Sequence, residues 1–213
     1  MDEFERISYL TDYLNQMTVK YDEGNPEISD KEWDNLYFEL KALEEKTGIA
    51  AINLKDGDSL ASVSLVKDED LILMTHEGMA IKFNSMDISA SGRATSGVKG
   101  ITLKDNDYVV AALPVRHPED QLAIISESGL GKKIPLTELV IQKRAGKGLI
   151  VYKPTEASGK VACGALVSDE DSVLICGKSS GICILAKDIP SLSRGSLGNQ
   201  LIKGTTVTSM SKV

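Results

Sequence analysis

The chain has 213 residues, with 24 Lys and Arg against 31 Asp and Glu, a formal net charge of −7. This length allows one ordinary domain or two small ones and excludes a large multidomain enzyme. An acidic balance argues against a partner as acidic as nucleic acid, unless the charge is unevenly distributed. Apolar runs of only a few residues predict no membrane-spanning helix. The acidic N-terminus, which has no apolar signal core, predicts a cytoplasmic protein.

Two different compositions meet near Gly48. Residues 1–48 hold seven of the ten aromatic side chains but only two of the 18 glycines. They carry 13 acidic and 5 basic side chains, a net charge of −8, and the remaining 165 residues carry a net charge of +1. We therefore predict two domains, residues 1–48 and residues 49–213, and the acidity belongs to the first.

The N-terminal segment has the pattern of two amphipathic helices. After a loop containing Pro26, Ser29 and Glu32 have the spacing of a capping box, which predicts the start of the second helix. Gly48 is placed to end that helix. The apolar residues that recur at three- and four-residue steps in the first helix are Phe4, Ile7, Leu10, Leu14 and Met17. The segment is predicted to form an αα-hairpin.

Beyond Gly48 the sequence repeats with a period near 50 residues. Short apolar runs alternate with glycine turns, which is typical of β-structure. Three segments predict β-hairpins, at Asp70–Phe83, Asp120–Ile134 and Asp171–Leu185, with turn glycines Gly78, Gly129 and Gly181. A partial fourth unit is predicted because Thr47–Leu60 matches Ser96–Val109. We predict a mainly β, propeller-like array of about three to four four-stranded blades, too few for a conventional closed ring.

Each hairpin is followed by a glycine loop with cationic side chains. Such a loop lets backbone N–H groups and cations approach phosphate together, without sequence specificity. Recurrence along an arc would suit bent duplex DNA. In the alternative interpretation, the glycines only make tight turns and the cations are solvated surface residues. The candidate DNA contacts are Arg93 and Lys99 in the first loop, Lys143, Arg144 and Lys147 in the second, and Arg194 in the third.

From about Thr47 to Val213 the sequence resembles the C-terminal part of the A subunits of bacterial type IIA topoisomerases, the DNA gyrase A and topoisomerase IV A family. The resemblance rests on TGIAAINLKDGD, EGMAIKFNSMDISASGRATSGVKGI and LGNQLIKGTTVTSMSKV. Residues 142–148, QKRAGKG, are similar to the gyrase A box QRRGGKG, with Lys143 in place of Arg and Ala145 in place of Gly. Alanine restricts the backbone if its position requires a positive φ.

This resemblance implies a partial β-pinwheel whose blades bind and bend duplex DNA around a basic outer edge. The implied partners are DNA, the rest of a topoisomerase A protein and its B partner. The DNA-cleaving tyrosine belongs to another domain of the family, so we expect no catalytic residue, no cofactor and no enzymatic activity from this chain alone. Three cysteines and two histidines without ligand spacing also predict no metal site, and the cysteines are predicted to be small buried hydrophobes.

The N-terminal segment VKYDEGNPEISDKEWDNLYFELKALEEKTG resembles a different family, the Ia domain of NAD-dependent DNA ligases, whose pattern is close to YYxxDxPxxSDxEYDxLxxELxxLE. That domain holds the nicotinamide mononucleotide half of NAD by aromatic stacking and carboxylates. The resemblance implies a site formed by Tyr21, Asp30, Trp33 and Asp34, with Lys20 where the first aromatic of the family would stand. The alternative is that these are a helix-start acid, packed aromatics and a solvated acid.

Three functions therefore remain open on the sequence. The first is a non-catalytic DNA-binding and DNA-bending module of a topoisomerase A protein. The second is a protein-interaction scaffold in which the hairpin, with its net charge of −8, competes with DNA for the blades as a tethered polyanion. The third is a nicotinamide-nucleotide-binding accessory piece of an NAD-dependent DNA ligase.

Overall fold

The computed structural model describes residues 2–48, 52–91 and 95–213. Arg93, a predicted DNA contact, lies outside the described residues. The chain divides into two compact units: the first is Met1–Asp58 with Ala90–Gly97, and the second is Ser59–Ser89 with Val98–Val213. In the described part of the chain, no helix has the length and apolar character needed to cross a membrane.

The first unit contains helices α1 (Glu3–Asp22) and α2 (Asp30–Thr47), which confirms the αα-hairpin. The predicted capping box starts α2: the N–H of Glu32 donates to Ser29 Oγ at 3.3 Å, and the N–H of Ser29 donates to Glu32 Oε2 at 3.0 Å. At the other end, the Gly48 N–H donates to the Glu44 carbonyl at 2.8 Å, and Gly48 has a φ of +91°. A second capping box, at Asp2 of α1, was not predicted.

Apolar side chains from both helices form the core of the hairpin. Leu10 of α1 is fully buried, and Leu40 of α2 packs in the same cluster. Across the pair, the Arg6 guanidinium donates two hydrogen bonds to the Glu39 carboxylate, at 2.7 and 2.9 Å. Ile7, Leu10 and Leu14 of the predicted apolar stripe therefore do form the contact between the two helices. Phe4 does not, because it lies in the first turn of α1 and is 67% exposed.

The second unit contains eleven strands among its described residues. They form three antiparallel sheets, in the orders β3-β1-β2-β6, β10-β5-β4-β7 and β11-β8-β9, so the predicted mainly β blade architecture is confirmed. The strands are β1 (Asp70–Thr75), β2 (Met79–Asn84), β3 (Val109–Val115), β4 (Gln121–Ser126), β5 (Leu130–Pro135), β6 (Leu149–Ile150), β7 (Val161–Val167), β8 (Ser172–Gly177), β9 (Gly181–Leu185), β10 (Asn199–Gln200) and β11 (Val207–Lys212).

The three predicted hairpins are β1–β2, β4–β5 and β8–β9. One detail differs, because the third hairpin has a turn one residue shorter: Cys176 lies opposite Gly181, whereas Ile125 lies opposite Gly131. Gly181 is therefore the first residue of β9 and not the turn glycine that was predicted. Of the predicted partial fourth unit, residues 52–60 form no strand, and residues 49–51 lie outside the described chain.

Neighbouring blades are joined by exchanged strands. β6 follows the second hairpin in the chain but pairs with β2 of the first sheet, with Leu149 opposite Ala80. In the same way β10 follows the third hairpin but pairs with β5, with Asn199 opposite Gly131. The fourth strand of each of the first two sheets therefore comes from the chain segment that follows the hairpin of the next sheet. The described part of the third sheet has three strands, and the outer edge of β9 has no such partner.

The sheets stack face to face, so the middle sheet is buried on both sides. Leu122 and Ile124 of β4 belong to a cluster with Ile72 of β1. Ile125 of the same strand belongs to a cluster with Val173 of β8. The burial explains why β4 has a continuous apolar run, as strands covered on both faces do.

The cysteines differ in burial. Cys163 is buried, and desolvation raises the pKa of its thiol to about 12, so it behaves as the expected inert hydrophobe. Cys176 is half-buried. Cys183 is exposed on β9, so the expectation of burial was wrong there, because no fourth strand of the described chain covers this edge. The described residues contain no cluster of His, Cys, Asp or Glu that could hold a metal ion.

Candidate nucleic-acid interface

The second basic loop, residues 142–148, is bonded through its backbone to the segment that ends the first basic loop. The N–H of Thr102 donates to the Gly146 carbonyl at 2.8 Å, and the Thr102 hydroxyl donates to the Ala145 carbonyl at 2.7 Å. The N–H of Ala145 donates to the Gly100 carbonyl at 2.8 Å. These bonds bring two of the predicted basic loops together into one surface.

Three lysines of that surface are exposed, and we call them the lysine patch: Lys99, Lys143 and Lys147. The ion pairs observed among the described residues do not include any of the three. Their ammonium groups are therefore not neutralised by neighbouring carboxylates of the described chain. Solvated cations on long side chains, held on an ordered backbone, can reach an anionic ligand.

Arg144 lies in the same loop but is half-buried. Its Nε donates to the Asp87 carbonyl at 3.1 Å, and its Nη1 donates to the Lys99 carbonyl at 2.5 Å. The guanidinium thus ties the second loop to two backbone segments of the first blade. In the described arrangement Arg144 holds residues 142–148 against this backbone, and its predicted contact with DNA stays a prediction.

Ala145 has a φ of +67°, in the left-handed region. For a residue with a Cβ this conformation costs about 1–2 kcal/mol, a cost that glycine avoids. The backbone at this position does therefore adopt a positive φ, the condition under which alanine is more restricted than glycine. The hydrogen bonds on both sides of Ala145, from its own N–H and to its carbonyl, hold it in this strained conformation.

The third basic loop is held in a different way. The backbone N–H of Arg194 donates to Glu138 Oε2 at 3.2 Å, and its guanidinium forms an ion pair with the same carboxylate at 3.8 Å. Arg194 is therefore partly neutralised, whereas the lysine patch is not. The two loops differ in charge even though their sequences are in register.

A buried lysine of β5, Lys132, binds the backbone of this third loop. The Lys132 ammonium donates to the carbonyl oxygens of Ser193, Arg194 and Ser196, at 2.9, 2.6 and 2.7 Å. Lys132 has no exposed surface, and burial lowers the pKa of its ammonium to about 8, an effect that the Glu138 carboxylate opposes. Sequence reasoning missed Lys132. The repeat could have indicated its burial, because Lys132 lies 51 residues after Ile81, an apolar residue at the same place in the first blade.

The four residues implied by the ligase resemblance come together in the first unit. They line a cavity of about 280 Å³ between the two helices and their connecting loop. Trp33 also stacks on Tyr37, with ring centroids 5.2 Å apart. The cavity-lining residues are Met17, Thr18, Tyr21, Pro26, Glu27, Ile28, Asp30, Trp33 and Asp34. The site therefore combines two aromatic rings with three carboxylates.

These features define the class of the second unit. It is a propeller-like array of antiparallel blades that exchange strands, with basic glycine loops at the blade junctions. The family described as the DNA gyrase C-terminal domain, a beta-propeller, matches residues 46–67, 69–116 and 120–162. The chain belongs to the DNA gyrase C-terminal domain family, as its sequence resemblance indicated.

Relatives and solved structures agree with this assignment. The DNA gyrase A protein of Lawsonia intracellularis is 35% identical over 166 residues, which is 76% of this chain and 20% of the relative. A DNA gyrase A C-terminal domain structure has a TM-score of 0.74 at 31% identity, covering 78% of this chain and 58% of that one. The C-terminal domain of DNA topoisomerase IV has a TM-score of 0.74 at 28% identity, covering 76% and 52%. The chain spans about a fifth of the length of the curated relatives it matches.

Proposed function

We propose that the second unit binds duplex DNA through the lysine patch, without sequence specificity, as a DNA-bending part of a type IIA topoisomerase A protein. Membership of the gyrase C-terminal domain family supports this function. In this role the chain contributes binding and curvature in the cytoplasm, and cleavage belongs to the rest of the A protein together with its B partner. Residues 1–48 and 49–213 are proposed to be the two domains.

The observation that carries the proposal is the bonded junction between residues 142–148 and residues 99–102. It presents Lys99, Lys143 and Lys147 together on an ordered backbone, with no carboxylate of the described chain paired to them. Contacts from lysine to phosphate depend on charge and distance, and not on base identity, so they give affinity without specificity. Arg194, paired with Glu138, would contribute less than the patch.

The test is the salt dependence of binding to a labelled duplex of random sequence. For three phosphate contacts, the logarithm of the association constant should fall with the logarithm of salt concentration with a slope of about −2.7. Fluorescence anisotropy at several salt concentrations measures the slope, and an unlabelled duplex of different sequence should compete equally. Absence of binding at low salt, or an affinity that does not change with salt, would contradict the proposal.

We infer a second candidate function for the first unit, which is supported by its cavity. Tyr21 and Trp33 offer aromatic faces, and Asp30 and Asp34 offer negative charge, in a volume of about 280 Å³. A cationic aromatic ring such as nicotinamide in its nucleotide form suits this combination, through stacking and cation–π attraction. Both resemblance and geometry therefore favour nicotinamide mononucleotide as the ligand.

Calorimetric titration of nicotinamide mononucleotide into the full chain should give measurable heat, and Trp33→Ala should abolish it. Tyr9→Ala is the matched control, because Tyr9 is an exposed aromatic of α1 that does not line the cavity. Equal heats for the two variants would show that binding does not use the cavity. No heat with the unmodified protein would remove the candidate function altogether.

A further inference from the structure

The outer edge of β9 differs from the corresponding strands of the other two blades. In the hairpin register Gly181 of β9 corresponds to Ala80 of β2 and Gly131 of β5. Gly181 is exposed, whereas Ala80 and Gly131 are buried. Ile182 is 37% exposed, whereas Ile81 and Lys132, at the equivalent register positions of β2 and β5, are 0% exposed. In the first two blades a fourth strand and its preceding loop cover these positions. In the described chain β9 is therefore an acceptor strand, equivalent to β2 and β5, that lacks the donor strand which β6 and β10 supply to those two.

The described chain also contains a segment that matches the exchanged strands but has no partner strand among the described residues. Val98–Lys99 are the equivalent of β6 and β10 in the repeat, since they lie 51 residues before β6, and β6 lies 50 residues before β10. Each of these dipeptides follows a glycine with a positive φ: +72° at Gly97, +76° at Gly148 and +93° at Gly198. Val98 is 54% exposed, and Val98–Lys99 form no strand in the described chain. The glycine that precedes this segment therefore has the left-handed φ of the glycines that precede β6 and β10.

The glycines show how closely donor and acceptor approach. A Cβ at Gly148 would lie 2.5 Å from the Ala80 carbonyl oxygen, and one at Gly198 would lie 2.4 Å from that of Gly131. At Gly97 the nearest such atom is Ile52 Cδ1, at 3.7 Å. Glycine is therefore required by the acceptor backbone in the two paired cases. At Gly97 the same residue and conformation occur where the described chain supplies no acceptor.

Backbone donors show the same difference. The N–H groups of Val151 and Tyr152 donate to the Gly78 carbonyl, at 2.9 and 3.1 Å, and so extend the β6 pairing. Their equivalents in the first loop are Gly100 and Ile101. Among the described residues, neither N–H of that pair donates to another backbone carbonyl. The corresponding acceptor in the third blade is the carbonyl of Ser179, the last residue of the turn, since the Ser180 carbonyl accepts the Gly177 N–H within the hairpin at 2.8 Å.

We propose that Val98–Lys99 of one copy pairs with β9 of a second copy, placing Val98 opposite Gly181 and completing the third sheet. One chain carries both surfaces, the donor segment Val98–Lys99 and the acceptor strand β9. The same kind of pairing already occurs twice within the chain, between β6 and β2 and between β10 and β5. β9, with the sequence GICIL, has no charged residue or proline to block edge pairing. A second copy of this chain is therefore the occupant that the edge fits.

The interface joins two different surfaces, so it is head-to-tail and each added copy leaves a free donor and a free acceptor. The assembly should therefore grow with protein concentration and not stop at a dimer. Lys99 corresponds to Ile150, the second residue of β6. Ile150 remains 51% exposed although β6 is paired, so pairing should leave Lys99 exposed too. Lys99 would thus stay available to an anionic ligand, and self-association is independent of the proposed DNA binding.

The test compares Val98→Glu, which alters only the donor, with Ile182→Glu, which alters only the acceptor. Val63→Glu is the matched control, because Val63 is an 81% exposed valine outside both surfaces. Sedimentation velocity over a range of concentrations should show increasing mass for the unmodified protein and for Val63→Glu. Each interface variant alone should remain a monomer.

Mixing the two interface variants provides the decisive measurement. The intact donor of the Ile182→Glu copy can pair with the intact acceptor of the Val98→Glu copy, so the mixture should form a dimer and no larger species. In the unmodified protein, maleimide labelling of the exposed Cys183 should slow as association increases. A monomeric unmodified protein, association unaffected by Val98→Glu, or a mixture that stays monomeric would each overturn the proposal.

Discussion

Lys132→Met is expected to lower the free energy of unfolding of the second unit by about 3 kcal/mol. The substitution keeps a long unbranched side chain, so the volume of the site changes little. It removes the donor that satisfies the carbonyl oxygens of Ser193, Arg194 and Ser196. Each hydrogen bond from a charged donor is worth about 1.5–3 kcal/mol. Part of the loss is recovered, because the loop can turn its carbonyls to water and because the cost of burying the ammonium, which lowers its pKa, is removed with it.

Urea unfolding followed by far-UV circular dichroism measures this change in the blades. The only tryptophan of the chain, Trp33, belongs to the first unit, so its fluorescence reports the helical hairpin separately. Lys132→Met should shift the circular dichroism midpoint and leave the fluorescence midpoint in place. Lys104→Met, at an exposed lysine of the same unit, is the control. A shift no larger than that of the control would show that Lys132 does not anchor the loop.

The same lysine predicts a pH dependence. Burial lowers the pKa of Lys132 to about 8 in the folded state, below its ordinary value of 10.5. Between these two pH values the unfolded chain binds more protons than the folded one, so the contribution of this group to stability rises with pH. Below pH 8 both states are protonated and the contribution is constant. Lys132→Met should lack the rise that the unmodified protein shows over this window.

Local patterns in the sequence predicted the elements of the fold but not the strand exchange. The capping box at Ser29 and the alternation in the hairpins involve neighbouring residues, whose spacing is visible in the sequence. β6 and β10 contain only two residues each and pair with strands more than 60 residues earlier. Two residues carry no periodicity, and their pairing is set by how the blades stack.

For the candidate site, the sequence identified the basic loops but could not assign a task to each cation. A guanidinium can bind a phosphate or a backbone carbonyl, and in the folded chain that of Arg144 donates to the carbonyls of Asp87 and Lys99. The sequence does not show these carbonyl contacts, and the phosphate contact stays a prediction. Lys132 was missed because charged side chains are seldom fully buried, and a lysine in a strand normally indicates a solvated face. The carbonyls that satisfy it come from a loop more than 60 residues later.

Replacing all three lysines of the patch, in Lys99→Ala/Lys143→Ala/Lys147→Ala, is expected to weaken binding to random duplex roughly hundredfold or more at ~0.1 M salt. Each lost phosphate contact lowers the salt slope by about 0.9, so the three together lower it by about 2.7. Because the electrostatic gain vanishes near ~1 M salt, a slope change of this size corresponds to more than two powers of ten at ~0.1 M.

The control removes the same charge from exposed lysines of the second unit outside the basic loops, in Lys104→Ala/Lys153→Ala/Lys178→Ala. Both triple variants change the net charge of the chain equally, so any difference between them arises from position. If DNA binds through the lysine patch, only the patch variant loses the salt slope. Equal losses in both variants would mean that DNA responds to overall charge, and the bonded junction at residues 99–102 and 142–148 would then have no special part in binding.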